Sequence, residues 1–366
     1  MTLEMTSRFR GCLLGGAVGD ALGAAVEFLS HEEIQARFGS DGIADYAPAY
    51  GGLGRITDDT QMTLFTAEGL LRSHVRGCLR GITTQSGLVS SAYERWLYTQ
   101  GERSRKEAEQ EWLDSGWLIK QRELHSRRAP GMTCLSALKQ MRAYGDKAQN
   151  DSKGCGGVMR VAPVGLFAHA MGASHEMCFE LGEEVCALTH GHVTGQLAGG
   201  VLAVMIQCLV AGESMAQALA HALRILARKP GCGDTLQALE QVRALAESET
   251  SAPAAVVLLG LGWGWIAEEA LAIAVYCALT ARDFRSAIQL AVNHDGDSDS
   301  TGAITGNLLG VQWGEEAIPS DWLALLELRD VIGEIAKDLH DCPRWELYTE
   351  GGGKDEKWAW EKYPGY

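Results

Sequence analysis

Apolar residues recur at spacings of three and four through most of the chain. WIAEEALAIAVYCAL (265–279), DFRSAIQLAVNH (283–294), TLQALEQVRALAES (235–248) and DWLALLELRDVIGEIAKDL (321–339) each predict a helix with one buried face, and each is rich in good helix formers. Period-two alternation is nearly absent. The pattern predicts an all-α protein of about a dozen helices or more, joined by glycine-rich loops. Two polar segments, 101–128 and 228–252, read as solvated helices or insertions, not as linkers. No repeat of fixed period is evident, so residues 1–366 are expected to form a single domain. The closing segment EGGGKDEKWAWEKYPGY, in a C-terminal tail over 342–366, either folds back through its tryptophans or stands as an ordered tail.

Two stretches break the ordinary helical pattern with small residues. In GCLLGGAVGDALGAAVEF (11–28), Gly11, Gly15, Gly19 and Gly23 fall every four residues. Glycine costs about 1 kcal/mol relative to alanine inside a helix, so four of them need a packing reason, such as a second helix at close approach. TGAITGNLLG (301–310) is another small-residue helix. The first stretch also carries Asp20 and Glu27, seven apart and therefore on nearly one face. Acids on a packed face need partners.

Composition narrows the function without naming it. Hydrophobic residues are 46% and charged residues 22% of the 366, ordinary for a globular protein with a sizeable core. A net charge of −15 argues against non-specific binding to nucleic acid or to an anionic membrane. The ten cysteines are scattered, without a CxxC pair, and read as free thiols in a reducing compartment; neither a zinc nor a disulfide framework is expected. The amino terminus lacks the order of a signal peptide. The longest apolar run, about 252–267, is interrupted by proline and glycine and is shorter than the roughly 20 residues that span a bilayer. A cytoplasmic protein is the expectation.

The acidic motifs carry the chemistry. In GRITDDTQMTLFTAEGLL (54–71), Thr57 or Asp58 can cap the helix that follows, and acids suit the positive end of its dipole. Capping uses one acid; the adjacent pair Asp58-Asp59 leaves a second for a hard cation. HDGDSDST (294–301) places Asp295, Asp297 and Asp299 at alternate positions, as a calcium loop begins. That loop fails further on, with Ser300 where glycine is needed and Gly306 where a bidentate glutamate belongs. What remains is a second acidic helix amino terminus. Two such ends facing across one cleft would make an all-oxygen site suited to Mg²⁺ or Mn²⁺, with room for two ions.

Two further motifs are weaker alone. NDSKGCGGVMRVAPVGLF (150–167) has a glycine turn able to aim amides at phosphate, yet is no P-loop, and taken alone it reads first as a structural turn. LTHGHVTGQLAGG (188–200) offers His190 and His192 as ligand-binding or simply structural histidines.

Together and in this order, GDALGAAVEF, TDDTQMTL, SKGCGGVMRVAP, THGHVTG and GDSDSTGAITG resemble the ADP-ribosylglycohydrolase family, over about residues 9–314. The resemblance implies a compact many-helix fold with a binuclear Mg²⁺ or Mn²⁺ site in a central cleft. It implies Thr57, Asp58, Asp59, Asp297, Asp299 and Ser300 as metal ligands. Glu27 would lie beside the metals, and it or one of the aspartates Asp58 and Asp59 would relay the proton. Ser152, Lys153, Gly154, Cys155, Gly156 and Gly157 would hold the diphosphate and ribose, and His190 would line the pocket. The implied reaction removes ADP-ribose from a protein side chain, and the wording of the motifs is closer to the arginine-directed branch than to the serine-directed one. A protein that docks on an ADP-ribosyltransferase toxin as its immunity partner, and a silent relative, are the alternatives. Cys155 departs from the family's usual asparagine, and Asp295 from its usual glycine, so Asp295 is expected outside the ligand set.

Overall fold

The glycines of the two small-residue stretches face one another. In the computed structural model, which describes residues 4–105, 110–248, 260–348 and 352–366, the first helix, Met5–Gly23, and the late helix, Ser298–Trp313, run antiparallel in direct contact. A Cβ on Gly11 would stand 2.3 Å from the Gly310 carbonyl oxygen, on Gly15 2.3 Å from that of Gly306, on Gly19 2.0 Å from that of Gly302, and on Gly23 2.4 Å from that of Ser298. The contact is reciprocal, since a Cβ on Gly310, Gly306 or Gly302 would strike the carbonyl of Gly11, Gly15 or Gly19. No side chain larger than hydrogen fits along this seam. The pair is buried along most of its length, as expected for helices that are small or apolar on all sides.

Other helices wrap this pair. Val193–Val210 is packed against His175–Ala187, Met215–Leu226, Ala162–Ala170 and Ala267–Thr280. Asp58–Arg80 packs on Gln85–Thr99, and the two are tied by buried Glu68, which pairs with Arg72 at 3.0 Å and with Arg95 at 2.9 Å. A continuous apolar core runs from Phe9 to Tyr363. Among the described residues there is no strand, only two isolated bridges, Ala49 with Gly52 and Gly154 with Ile266. The protein is all-α.

Three of the four predicted helices form whole, as Gly233–Glu247, Ala267–Thr280 and Phe284–Val292. The fourth is broken into Ser320–Leu325 and Arg329–Asp341. Between them Leu328 takes a left-handed conformation (φ 56°), and the Glu327 carboxylate turns inward to Arg128, Arg55 and the Ile56 amide. A buried three-way clamp outweighs one more helical turn, and the apolar spacing gives no sign of it.

Among its described residues, the polar segment 101–128 supplies Gln110–Leu113 and two 3₁₀ turns, while 228–252 contains the helix Gly233–Glu247. The first half of the apolar run 252–267, residues 252–259, lies outside the described residues. One described helix, Val193–Val210, is long and apolar enough to cross a membrane, and nearly all of it is buried inside the protein. All ten cysteines are free thiols. The tail folds back: Tyr363 is buried with its hydroxyl donating to Asp338 at 2.5 Å, Lys362 pairs with Asp338 at 2.6 Å, and Tyr363 stacks on Trp345.

Candidate active site

The glycine seam carries acids to one end of the helix pair. Glu27 sits in the turn that ends the first helix, its amide donating to the Gly23 carbonyl at 3.0 Å, while Asp297 and Asp299 open the late helix. Asp297 is the N-cap and accepts from the Ser300 amide at 3.3 Å; Asp299 accepts from the same amide at 3.0 Å. One carboxylate oxygen each from Glu27, Asp297 and Asp299 lie within 4.8 Å of one another, and all three residues are buried.

The third element is the amino terminus of Asp58–Arg80. Thr57 caps it, its hydroxyl accepting from the Asp59 amide at 3.3 Å. Asp20, fully buried in the first helix, grips this corner: it accepts from the Thr57 amide at 3.0 Å, the Thr57 hydroxyl at 2.8 Å, the Thr60 amide at 3.1 Å and the Thr60 hydroxyl. Asp58 accepts from the Gly131 amide at 3.1 Å. Asp20 is thus the partnered acid that the packed face required, and its role is to position TDDT.

A cleft of about 200 Å³ opens over this cluster, lined by Glu27, Asp58, Asp59, Asp297, Asp299 and Ser300, and on its other wall by Gly154, Cys155, Gly156 and His190. Ten of the fourteen predicted site residues therefore meet in one place. The other predicted positions stand behind it. Thr57 lies beneath the acids on Asp20, and the Ser152 hydroxyl is 3.2 Å from that of Thr133, a cleft residue. A Cβ on Gly157 would meet Cys186 and the His190 ring at 3.2 and 3.3 Å, so this glycine makes room for the histidine. Lys153 pairs with Glu268, and with Asp234 at 3.5 Å, which engages its charge away from the cleft wall. His192 caps the helix Val193–Val210 by accepting from the Thr194 amide at 3.2 Å. Asp295 accepts from the His31 amide at 2.6 Å, at the start of the helix His31–Phe38, so its carboxylate is committed outside the cleft.

Charge in the cluster is strained. Burial first, and then the neighbouring Asp299, push Asp58, Asp59 and Asp297 well above the ordinary carboxylate range, and Glu27 is pushed up to about 11 by the same two causes. Asp20 rises to about 7 for those reasons, held down in part by its threonine donors. His190 is driven the other way, to about 3, by burial and then by Arg160, so it is a neutral ring, hydrogen-bonded through Nδ1 to Thr189 at 2.8 Å. Two carboxylate oxygens, Glu27 Oε2 and Asp59 Oδ1, are closed off from solvent without a hydrogen-bond partner. Buried acceptors left unpaired are costly, and a donor set made wholly of carboxylate and hydroxyl oxygen suits a hard divalent cation. The residues present fit such an ion.

Residues outside the predicted site set complete the cleft. Ala129, Gly131, Met132, Thr133, Met159 and Trp265 line it. Trp265 reaches it because the Cys155 amide donates to its carbonyl at 3.2 Å and the Ala267 amide donates to Lys153 at 2.8 Å, pairing the 153–155 turn with the 265–267 segment. At the mouth Trp265 stacks on Phe28, which is 70% exposed. The aromatic pair in Trp263-Gly264-Trp265 was the one available signal, and its partner turn lies more than a hundred residues away. Cys155 donates its thiol to Asp297 at 2.6 Å.

Fold and site define an all-α protein whose functional centre is a buried carboxylate cluster between helix amino termini, walled by a glycine turn. Residues 1–347 match the family described as ADP-ribosylglycohydrolase, and the chain belongs to that family. An uncharacterized protein of Archaeoglobus fulgidus is 31% identical over 92% of this chain and 97% of its own length. The ADP-ribosyl-[dinitrogen reductase] glycohydrolase of Rhodospirillum rubrum is 28% identical, covering 91% and 94%, and the ADP-ribosylarginine hydrolase Tri1 of Pseudomonas putida 24% identical, covering 92% and 79%. A solved structure titled ADP-ribosylglycohydrolase-related protein complex superposes with a TM-score of 0.67 at 27% identity, over 93% of this chain and 99% of that one. Membership supports an enzyme that hydrolyses ADP-ribose conjugates of proteins.

Proposed function

We propose that the protein hydrolyses the N-glycosidic bond between ADP-ribose and arginine side chains, using two divalent cations, Mg²⁺ or Mn²⁺. The observation that carries this is the convergence of Glu27, Asp58, Asp59, Asp297 and Asp299 on one cleft, with two buried carboxylate oxygens lacking partners. Thr57, Asp58, Asp59, Asp297, Asp299 and Ser300 are the ligands in this reading. The bound cations would neutralise the acids and hold the ribose hydroxyls as Lewis acids.

The chain's own groups do the rest. Gly154 and Gly156, bare of side chains, let the diphosphate approach the backbone on the far wall, and His190, neutral, donates or accepts one hydrogen bond without adding charge. The Glu27 carboxylate, which would be ionised once cations neutralise the cluster, takes the proton of the attacking water as oxygen bonds to the anomeric carbon; the carbon–nitrogen bond breaks with its electron pair passing to the guanidine nitrogen, which then receives that proton. Neighbouring carboxylates favour the oxocarbenium-like transition state. Arginine is preferred over serine as acceptor because an acidic cleft welcomes a guanidinium, and the name of the Pseudomonas putida relative points the same way. Docking on a toxin has no observation in its favour.

Arginine-linked and serine-linked ADP-ribosylated peptides, incubated with the protein in Mg²⁺ or in chelator, test this directly. Release of ADP-ribose from the arginine conjugate in Mg²⁺ alone is expected, with loss in folded Asp58→Ala and Asp299→Ala. Release from neither conjugate would sink the reading; release from serine alone would move the substrate assignment.

A further inference from the structure

A second group of metal-binding side chains lies far from the cleft. His175, Cys208, Glu213 and His221 each offer one ligand atom, and the four atoms lie within 4.8 Å of one another. They come from three packed helices and the turn between two of them. Cys208 is buried near the carboxyl end of Val193–Val210, about 22 Å along that helix from its cleft end at 1.5 Å per residue. The chain then reverses through Gly212 (φ 94°), and the Glu213 amide donates to the Cys208 carbonyl at 3.1 Å, which brings the glutamate back over the cysteine. Ser214 caps Met215–Leu226 with a capping box, fixing the helix that carries His221. From the other side, Gln207 donates to the Ala173 carbonyl at 2.8 Å and Ser174 caps His175–Ala187, which presents His175 at its first position.

The contacts among the four are poor as hydrogen bonds. Cys208 Sγ is 3.8 Å from His175 Nε2, and Glu213 Oε2 is 3.5 Å from His221 Nε2. Glu213 Oε2 is closed off from solvent and has no hydrogen-bond partner. The two rings meet edge to face, with centroids 5.4 Å apart. In a tetrahedral zinc site with bonds of about 2.0 to 2.3 Å, ligand atoms stand about 3.3 to 3.8 Å apart, so a small inward turn of the two partly exposed histidines closes the set.

We propose that these four residues form a tetrahedral Zn²⁺ site that staples the three helices together and takes no part in the reaction at the cleft. Nitrogen, sulfur and one carboxylate select a borderline ion such as Zn²⁺, whereas the all-oxygen cleft selects Mg²⁺ or Mn²⁺, so the two sites sort metals by softness. The sequence conceals the site: its ligands are 33, 5 and 8 residues apart, and Cys208 sits in an apolar helical pattern that reads as core.

The test uses full-length protein stripped by chelator and then titrated with Co²⁺ in excess Mg²⁺, which keeps the oxygen sites filled. One Co²⁺ per chain, with the absorption of a thiolate-to-cobalt transition and displacement by Zn²⁺, is expected. That absorption should disappear in Cys208→Ser and in His221→Ala, and Zn²⁺ should raise the melting temperature of the unaltered protein but not of His221→Ala. His221 is partly exposed on a surface helix, so its variant decides the matter even where Cys208→Ser folds poorly. Absence of the thiolate band, or its survival in both variants, overturns the proposal.

Discussion

Thr57 gives Asp20 both its backbone amide, at 3.0 Å, and its hydroxyl, at 2.8 Å. One buried acid of the first helix therefore sets where the acidic amino terminus of Asp58–Arg80 begins. Every atom that Asp20 faces from Thr57 and Thr60 is a donor. In Asp20→Asn the new amide group would point at donors, a cost of roughly 1 to 3 kcal/mol. Urea denaturation should report that loss, and calorimetric titration should show cation affinity falling by about tenfold or more. Unchanged affinity in a folded Asp20→Asn would remove Asp20 from the site's design.

Cation and pH should act on stability together. Glu27, Asp58, Asp59 and Asp297 have folded pKa values raised above their unfolded ones. A raised carboxylate binds more protons folded than unfolded, so its contribution is present at low pH and is lost as pH climbs from the ordinary carboxylate range, about 4, toward the folded value. Chelated protein should therefore lose melting temperature steadily from about pH 5 to pH 8, and Mg²⁺ or Mn²⁺ should restore more of it at the higher pH. A chelated melting temperature independent of pH across that window contradicts the electrostatic account.

The glycine seam should tolerate nothing larger. Gly15→Ala puts a Cβ 2.3 Å from the Gly306 carbonyl oxygen, backbone that cannot rotate aside. Parting the two helices should cost about 1 to 3 kcal/mol or more and separate Glu27 from Asp297 and Asp299, so stability and activity should fall together. Gly233→Ala, in a helix where the added Cβ meets nothing within 4 Å, is the control and should be neutral or slightly stabilising.

Cys155 supplies a thiol donor to Asp297. Cys155→Ser and Cys155→Asn each keep a donor, and both should retain kcat/KM within a few-fold. Cys155→Ala leaves a buried acid short of a partner; at about 1.5 kcal/mol for a hydrogen bond to a charged group, kcat/KM should drop by roughly tenfold. Equal activity in the alanine and serine variants would show the thiol to be mere filling.

The sequence by itself determined the helical class, through apolar spacing, and named the acids that meet in the cleft. TDDT and DSDST each announce a helix amino terminus, because capping chemistry and the helix dipole act within a few residues. The glycines every four residues announced a close helix contact for the same local reason. Tertiary structure decided which helix each glycine meets, since that depends on chain reversal over nearly three hundred residues. It also decided that Asp20 positions where Glu27 faces the cleft, that Lys153 is spent on Glu268, that Trp265 forms a wall, and that Glu327 breaks a helix whose spacing is unbroken. The physical reason is common to all of these: each depends on which buried charge or donor finds a partner from a distant segment, and no periodicity along the chain encodes that pairing.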